Sequence, residues 1–166
     1  MIEMDLEQHL AEFGHAIAGA AQPDECWKAL KNLTGVVAGF ELFTVMTVDM
    51  VHEVARRAYS SHPVEYPVSG TKPIHYDSWF ETVHTQHKLF VANTIADIAK
   101  VFADHEKIWS LGCGSVVNLP VIIEGQLAAT MNMLHEEHYY SPARVELIER
   151  YLSLPAKRAC LAALAA

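Results

Sequence analysis

Polar side chains interrupt two otherwise apolar segments in the second half of the chain. Asn118 lies in the segment SVVNLPVII, and Thr130 and Asn132 lie in the segment QLAATMNML. Buried side-chain amides most often hydrogen-bond to neighbouring backbone. In a mostly apolar pocket, a few such groups instead orient a ligand. The residues alone leave both interpretations open.

Cys113 is the cysteine best placed for thiol chemistry, because it lies between two glycines directly before the first of these segments. A reactive thiol needs nearby positive charge or a helix N-terminus, and the sequence shows neither. Most lone cysteines behave as small apolar residues. Three widely spaced cysteines also argue against a disulfide framework and against a zinc ribbon.

Ten histidines are present, and two pairs have a spacing that is compatible with metal ligation, His84 with His87 and His135 with His138. Neither pair has a third ligand nearby in the sequence. The segment from His135 to His138 also lacks the i, i+4 spacing of the metalloprotease helix. We therefore predict no metal site.

The two polar-bearing segments are rich in β-branched residues and meet at Glu124 and Gly125, which predicts a β-hairpin. A two-residue turn of type I′ needs positive φ at both positions, which suits glycine but not glutamate. We therefore predict a three-residue loop that places Ile122 opposite Gln126.

This register pairs Asn118 with Thr130 and Val116 with Asn132, so the three polar side chains share one face of the sheet. On the same face we expect Ala128, Pro120 and Ile122. The opposite, purely apolar face comprises Val117, Leu119, Val121, Leu127, Ala129, Met131 and Met133. An apolar face is expected to pack against helices, whereas the mixed face suits a pocket.

The rest of the chain predicts the elements that surround the hairpin. Amphipathic spacing and capping signals predict five helices. They run from the start to about Gly19, from Pro23 to about Gly35, from Asp77 or Ser78 through His87, over Ile95 to Trp109, and from Ser141-Pro142 onward. We expect the last helix to kink or break at Pro155. Strands are predicted over Phe40 to Asp49, Glu53 to Ser60 and Leu89 to Val91. Prolines and a glycine make Ser61 to Tyr76 a long irregular loop of the kind that covers binding sites. The fold class is α+β, with terminal helices on one face of an antiparallel sheet and the central insertions on the other.

Composition limits the classes of function. At 166 residues the chain suits one domain, and its formal net charge of −8 disfavours nucleic-acid binding. No apolar run is long enough for a membrane span and the start MIEMDLEQH is acidic, so we expect a cytoplasmic protein.

The order of elements, together with NLPV and GQLAATMNMLH in the hairpin, resembles the GAF domain family over nearly the whole chain, as a single domain of residues 1–166. Supporting segments are ARRAYSSHPVEYPVSGTKP and FADHEKIWSLGCGS, which are similar to stand-alone bacterial GAF proteins. The resemblance implies a sensory or regulatory domain that binds a small molecule. It also implies a homodimer formed through the first and last helices. Because the chain has no room for an effector domain, we expect a separate protein to receive the signal.

Aromatic residues of the insertions are expected to clamp a flat ligand over the mixed sheet face. The predicted ligand-binding residues are Tyr76, Trp79, Phe80, Trp109, Cys113, Ser115, Asn118, Thr130 and Asn132. No catalytic residue is predicted, and neither the ligand nor a cofactor can be named from the sequence.

Two alternatives stay open beside the non-catalytic sensor. One is a thiol enzyme or redox sensor that uses Cys113 and resembles free methionine sulfoxide reductase. That chemistry needs a resolving cysteine, and the central insertions contain none besides Cys113. The other is an interaction module whose helices bind a partner and whose pocket is vestigial.

Overall fold

The apolar periodicities of the chain fold it into two helical layers around one sheet. The computed structural model describes residues 3–165. The helices are α1 (Glu3–Ala18), α2 (Pro23–Val37), α3 (Ser78–Phe80, continued by a π-helical turn over Glu81–Thr85), α4 (Ile95–Ala99), α5 (His105–Ser110) and α6 (Pro142–Ala165). The strands are β1 (Leu42–Asp49), β2 (Val54–Ser60), β3 (Thr71–Pro73), β4 (Phe90–Ala92), β5 (Ser115–Ile123) and β6 (Gln126–His135).

The six strands form one antiparallel sheet in the order β3-β2-β1-β6-β5-β4. The long strands β1, β5 and β6 occupy its centre, as β-branched and apolar composition favours. The predicted α+β class and the antiparallel sheet are confirmed.

One face of the sheet packs against α1, α2 and α6, which form the larger core. Side chains that alternate along β5 and β6 point to this side, including Val117, Leu119, Ala129, Met131 and Met133. They meet the apolar faces of the helices at Trp27, Leu30, Ile148 and Leu152. Because strand side chains alternate with period two, the residues between them point to the other face. No helix in the described part of the chain is long and apolar enough to cross a bilayer.

The hairpin turn differs from the prediction. Ile123 pairs with Gln126, so the loop contains only Glu124 and Gly125, with φ of 52° and 78°. Both residues therefore adopt the left-handed region that a two-residue turn of this hand requires. Glu124 adopts this unfavourable conformation because this turn type matches the twist of the two long strands.

Beyond the turn the strand register differs from the prediction by two residues, one from the shorter loop and one from a β-bulge between Val121 and Ile122. Asn118 pairs with Asn132, not with Thr130, and Thr130 pairs with Pro120. A shift of two residues keeps every side chain on its face, so the predicted grouping of Asn118, Thr130 and Asn132 on one face is correct.

A β-bulge in β6 overturns the predicted faces of two neighbours. The pairing shifts between Val121 and Ile122, which leaves Ala128 as an extra residue in β6. Ala128 packs against the helical core, and Leu127 faces the opposite side of the sheet. The prediction had these two residues exchanged, because strict alternation cannot anticipate a bulge.

The insertions between β2 and β5 also depart from the prediction at two places. The predicted helix over Ile95 to Trp109 is broken into α4 and α5 by a turn at residues 100–104. Within the predicted loop, β3 pairs with β2 as the edge strand.

The final helix, α6, also differs from the prediction, because it continues through Pro155 and does not break there.

Candidate functional site

The second face of the sheet forms the floor of a cavity of about 430 Å³. Four neighbouring strands contribute to the floor. The floor residues are Leu42, Thr44, Met46 and Val48 of β1, Ala55 and Arg57 of β2, Val116 and Asn118 of β5, and Leu127, Thr130, Asn132 and Leu134 of β6. Most of these side chains are apolar, and the polar ones lie among them, as in pockets that bind small molecules.

The insertions between β2 and β5 form the roof of the cavity. The roof residues are Tyr66, Lys72, Pro73, Ile74, His75, Asp77, Trp79, Phe80, His84, Val101, Phe102, Ala103, Asp104 and Ile108. Asp77 caps α3 by accepting a hydrogen bond from the backbone N–H of Phe80 at 2.9 Å. Asp77 is one of the two caps that the sequence allowed, the other being Ser78, and it fixes the start of the helix that carries Trp79.

A chain of hydrogen bonds joins the roof to the floor. The indole Nε1 of Trp79 donates to Oδ1 of Asn118 at 2.9 Å, and Nδ2 of Asn118 donates to Oδ1 of Asn132 at 2.7 Å. Nδ2 of Asn132 then donates to Oγ1 of Thr44 at 3.2 Å. Both amides are almost fully buried. The two asparagines therefore bond mainly to other side chains, in contrast to the backbone role that most buried amides have.

The predicted site residues separate into two groups. Five of them line the cavity, namely Trp79, Phe80, Asn118, Thr130 and Asn132. Four lie outside its lining, namely Tyr76, Trp109, Cys113 and Ser115.

Tyr76 and Trp109 are surface residues. Tyr76 is 66% exposed, donates a hydrogen bond to Glu53 and packs its ring against Phe80 at 4.5 Å between centroids. Trp109 is 55% exposed and borders a separate shallow depression beside Gly112. The structure thus places only one of the two tryptophans considered for the roof over the cavity.

Cys113 and Ser115 are buried behind the wall. Cys113 packs among apolar residues that include Ile108 and Val116. Burial raises the pKa of its thiol to about 11, and the charge of Glu41 adds to the shift. Ser115 donates to the backbone carbonyl of Glu136 at 2.6 Å and so ties β5 to the segment that follows β6.

A charged cluster lies at the β2 side of the cavity. Tyr66 donates to Oδ2 of Asp104 at 2.7 Å, and Nζ of Lys72 lies 3.3 Å from the same oxygen. Burial opposes the ionisation of Asp104, but the charge of Lys72 and the hydrogen bond from Tyr66 outweigh it, so the pKa of this carboxyl lies below its ordinary value. Burial and the bond to Asp104 raise the pKa of Tyr66, which is therefore a neutral donor.

Two buried nitrogens in the wall have no hydrogen-bond partner among the described residues. One is Nε of Arg57, whose side chain is almost fully buried, and the other is Nε2 of His84. Burial lowers the pKa of both groups. Arginine stays charged even so, whereas His84 is neutral at pH 7. The ring of His84 stacks on Phe80 at 4.3 Å between centroids.

Sequence reasoning missed Arg57, Lys72, Tyr66 and Asp104 as site residues. Alternation along β2 carries the missing signal, because it sends Arg56 to solvent and Arg57 to the cavity.

Among the described residues, no group of three or more histidine, cysteine, aspartate or glutamate side chains is arranged to hold a metal ion.

Comparison with solved structures identifies the fold. The GAF domain of an Acinetobacter phosphoenolpyruvate-protein phosphotransferase superposes with a TM-score of 0.70 at 11% identity, covering 99% of this chain and 98% of that one. The GAF domain of a Bacillus halodurans two-component sensor histidine kinase gives 0.65 at 11% identity, covering 89% and 100%. Residues 122 to 287 of a methyl-accepting chemotaxis protein give 0.65 at 14% identity, covering 95% and 97%.

These likenesses show that the chain has a GAF-like fold, as the sequence resemblance predicted. No protein-family model and no curated protein matches the sequence. At such low identity the shared fold does not carry over a ligand, so the function is argued from the cavity.

Proposed function

We propose that this chain, which has the GAF fold, is a non-catalytic sensory or regulatory domain that binds a small molecule between its sheet and the insertions over residues 63–109. The observation that carries the proposal is the cavity of about 430 Å³. Its volume lies within the range of pockets that hold small ligands. GAF domains of a sensor histidine kinase and of a phosphotransferase share the fold, which supports a regulatory role.

The chemistry of the cavity supports binding better than catalysis. Apolar side chains make up most of the floor, and Trp79, Phe80 and Phe102 supply aromatic surface in the roof. The amides of Asn118 and Asn132 are held in place by their hydrogen bonds to each other. Amides held in this way orient a ligand and are themselves neither nucleophiles nor general bases, and the carboxylate of Asp104 is engaged by Tyr66 and Lys72.

Ligand binding has a direct route to the segment over residues 61–76. The loop over residues 61–76 contacts the sheet through Arg57, whose Nη1 donates to the carbonyl of Pro67 at 3.1 Å, and through the buried ring of Tyr66. Its other positions, such as Val64 and Val68, are exposed. A ligand that contacts both floor and roof binds most tightly when the roof is packed on the sheet. It therefore shifts the population towards that arrangement.

The output surface that we propose is the exposed face of α6. Leu147, Leu154 and Leu161 recur at intervals of seven residues on the solvent side of this helix, and Leu164 extends the stripe. A seven-residue repeat of exposed leucines is the pattern by which helices pair. We propose that two copies pair through their terminal helices in the cytoplasm and that this pairing signals to a separate protein.

The thiol alternative is weaker. Cys113 lies outside the cavity lining, and a pKa of about 11 leaves almost no thiolate at neutral pH. Cys26 and Cys160 are buried in the core on the opposite face of the sheet, so neither is placed to resolve an intermediate at Cys113.

Hydrogen exchange tests the proposed function. The protein as isolated is compared with the same protein after denaturation, removal of small molecules and refolding. We expect amides 64–79 to exchange faster in the stripped protein while β5 and β6 keep their protection. Equal exchange of residues 64–79 in both preparations would count against a ligand that orders the roof.

A further inference from the structure

Arg57 is a buried cation that no carboxylate of the described residues contacts directly, although the charge of Asp104 reaches it. Its side chain is 7% exposed, and it forms no ion pair with any described residue. Removing a charge from water without pairing it is costly, so such groups normally have a partner.

Among the described charged residues of the cavity wall, Arg57 is the cation without an ion-pair partner. Lys72 and Asp104 pair with each other at 3.3 Å. Asp77 is exposed at the rim and caps α3. The remaining titratable residues of the wall are Tyr66, His75 and His84. A single negative charge beside Arg57 would therefore supply the ion-pair partner that the described residues of the wall do not.

The hydrogen bonds of Arg57 define which edge of its guanidinium is free. Nη1 donates to the carbonyl of Pro67 at 3.1 Å, and Nε has no partner. Nη2 also makes no hydrogen bond to the described residues, and it shares one edge of the planar group with Nε. Two parallel N–H groups on one edge match the two oxygens of a carboxylate.

The position of Arg57 also suggests what the rest of the ligand resembles. Arg57 on β2, Met46 on β1 and Thr130 on β6 are cross-strand neighbours, so Thr130 lies roughly 10 Å from Arg57 at the usual strand spacing. Beyond Thr130 the cavity continues towards Trp79 in the roof, which bonds to Asn118 on β5. An aromatic ring attached to a carboxylate by a short linker fits this order of groups.

We propose that the ligand is an aromatic monocarboxylate whose carboxylate binds the free edge of Arg57 and whose ring lies under the aromatic roof. This assignment rests on the proposed function and specifies the class of molecule that the cavity accepts. Gly70 assists it, because a Cβ at this position would lie 2.8 Å from Nη1 of Arg57. The missing side chain of Gly70 leaves room for the guanidinium.

Calorimetric titration with matched probes tests the assignment. Phenylacetate and indole-3-acetate are each compared with the corresponding primary amide, and phenyl phosphate serves as a dianion. We expect at least one acid to bind at least about tenfold more tightly than its amide, the loss expected when a charge-assisted hydrogen bond is removed. Phenyl phosphate should bind more weakly than phenylacetate, because its second charge has no partner.

Variants identify the residue responsible. Arg57→Met and Gly70→Ala should each weaken acid binding at least about tenfold. Arg57→Lys should also weaken it, since an ammonium cannot offer the two parallel donors. Arg56→Met, which changes the exposed neighbour, should leave binding unchanged and serves as the matched control.

The outcomes separate this assignment from the proposed function. Acid binding that Arg57→Met leaves intact, or amides that bind as tightly as acids, would overturn the carboxylate assignment. So would the absence of acid binding to the wild-type protein at millimolar concentration. The proposed pocket is judged independently by the hydrogen exchange of residues 64–79 in the isolated protein, which requires no knowledge of the ligand.

Discussion

Trp79 and Asn118 are joined by a hydrogen bond of 2.9 Å that connects the roof of the cavity to the centre of the sheet. The two residues are 39 positions apart in the sequence. Because Asn118 in turn bonds to Asn132, the position of the roof is coupled to the central strand pair. A ligand that alters this contact therefore acts on both layers that enclose it.

Replacing Trp79 by phenylalanine keeps an aromatic ring but removes the donor to Asn118. The amide oxygen of Asn118 is then buried without a partner, so we expect the free energy of unfolding to fall by about 1–3 kcal/mol. Urea unfolding measures it. Trp109→Phe is the control, because that exposed side chain makes no hydrogen bond to the described residues and should change stability by less than about 0.5 kcal/mol. Equal effects of the two substitutions would contradict the coupling.

Removal of the Tyr66 hydroxyl should have a pH-dependent cost. Tyr66→Phe deletes a hydrogen bond to the ionised Asp104, so we expect a loss of about 1.5–3 kcal/mol at pH 7. The folded-state pKa of Asp104 is depressed, so this contribution is present above the unfolded pKa, near 3.8, and is lost as the pH falls through the folded value. Unfolding at pH 7 and pH 3 measures the change.

The control for this substitution is Tyr76→Phe. Tyr76 also donates to a carboxylate, that of Glu53, but on the exposed surface. We expect almost no change in stability at either pH, since exposed pairs contribute little. A Tyr66→Phe loss that is the same at both pH values would show that Asp104 is not the cause.

The cysteines should be unreactive in the folded protein. All three are buried, and at a pKa of about 11 roughly one Cys113 in a thousand is a thiolate at pH 8. Ellman's reagent should label no cysteine within an hour in native buffer and three in guanidinium chloride. Rapid labelling of Cys113 alone would contradict this prediction and would support the alternative function as a thiol enzyme.

The exposed leucines of α6 are expected to determine the oligomeric state. Leu154→Lys combined with Leu161→Lys places charges in the proposed helix-pairing stripe. Light scattering should then give the monomer mass of 18.5 kDa, whereas the wild type should give roughly twice that value. Val64→Lys, at an exposed loop position, is the control and should remain a dimer. A monomeric wild type would contradict the proposed pairing.

Relief of backbone strain at the hairpin turn should stabilise the protein. Glu124 has a φ of 52°, a conformation that asparagine adopts more readily than glutamate. We expect Glu124→Asn to raise the free energy of unfolding by about 0.5–1 kcal/mol, measured as a higher urea midpoint without a change in slope. An unchanged or lower midpoint would show that another interaction holds this turn.

The sequence predicted the faces of the sheet better than the pairing of its strands. Asn118 and Asn132 lie on the same face despite the wrongly predicted turn, because the one-residue shift from the turn and the one-residue shift from the bulge sum to two residues, which preserves alternation. Leu127 and Ala128 were assigned wrongly because a bulge breaks that alternation locally. Side-chain period is local information, whereas turn type and bulges depend on how whole strands twist together.

The roof was the least predictable part. Nothing in the helical pattern over Ile95 to Trp109 marks the turn that separates α4 from α5. In the structure that turn points Phe102 and Asp104 into the cavity, where they contact residues distant in sequence. Arg57 was missed for a related reason, since its importance comes from burial that only the assembled roof creates. Tertiary contacts decided these positions over local propensity.

Native mass spectrometry of the protein purified from cells, compared with a Thr130→Phe variant that fills the cavity, tests the central claim most directly. Thr130 is buried in the floor, so the larger ring occupies the space proposed for the ligand. We predict a wild-type species heavier than the polypeptide by the mass of one small molecule, and a variant that carries none. Wild-type protein of bare polypeptide mass, or an adduct that the filled variant retains, would contradict a ligand in this cavity.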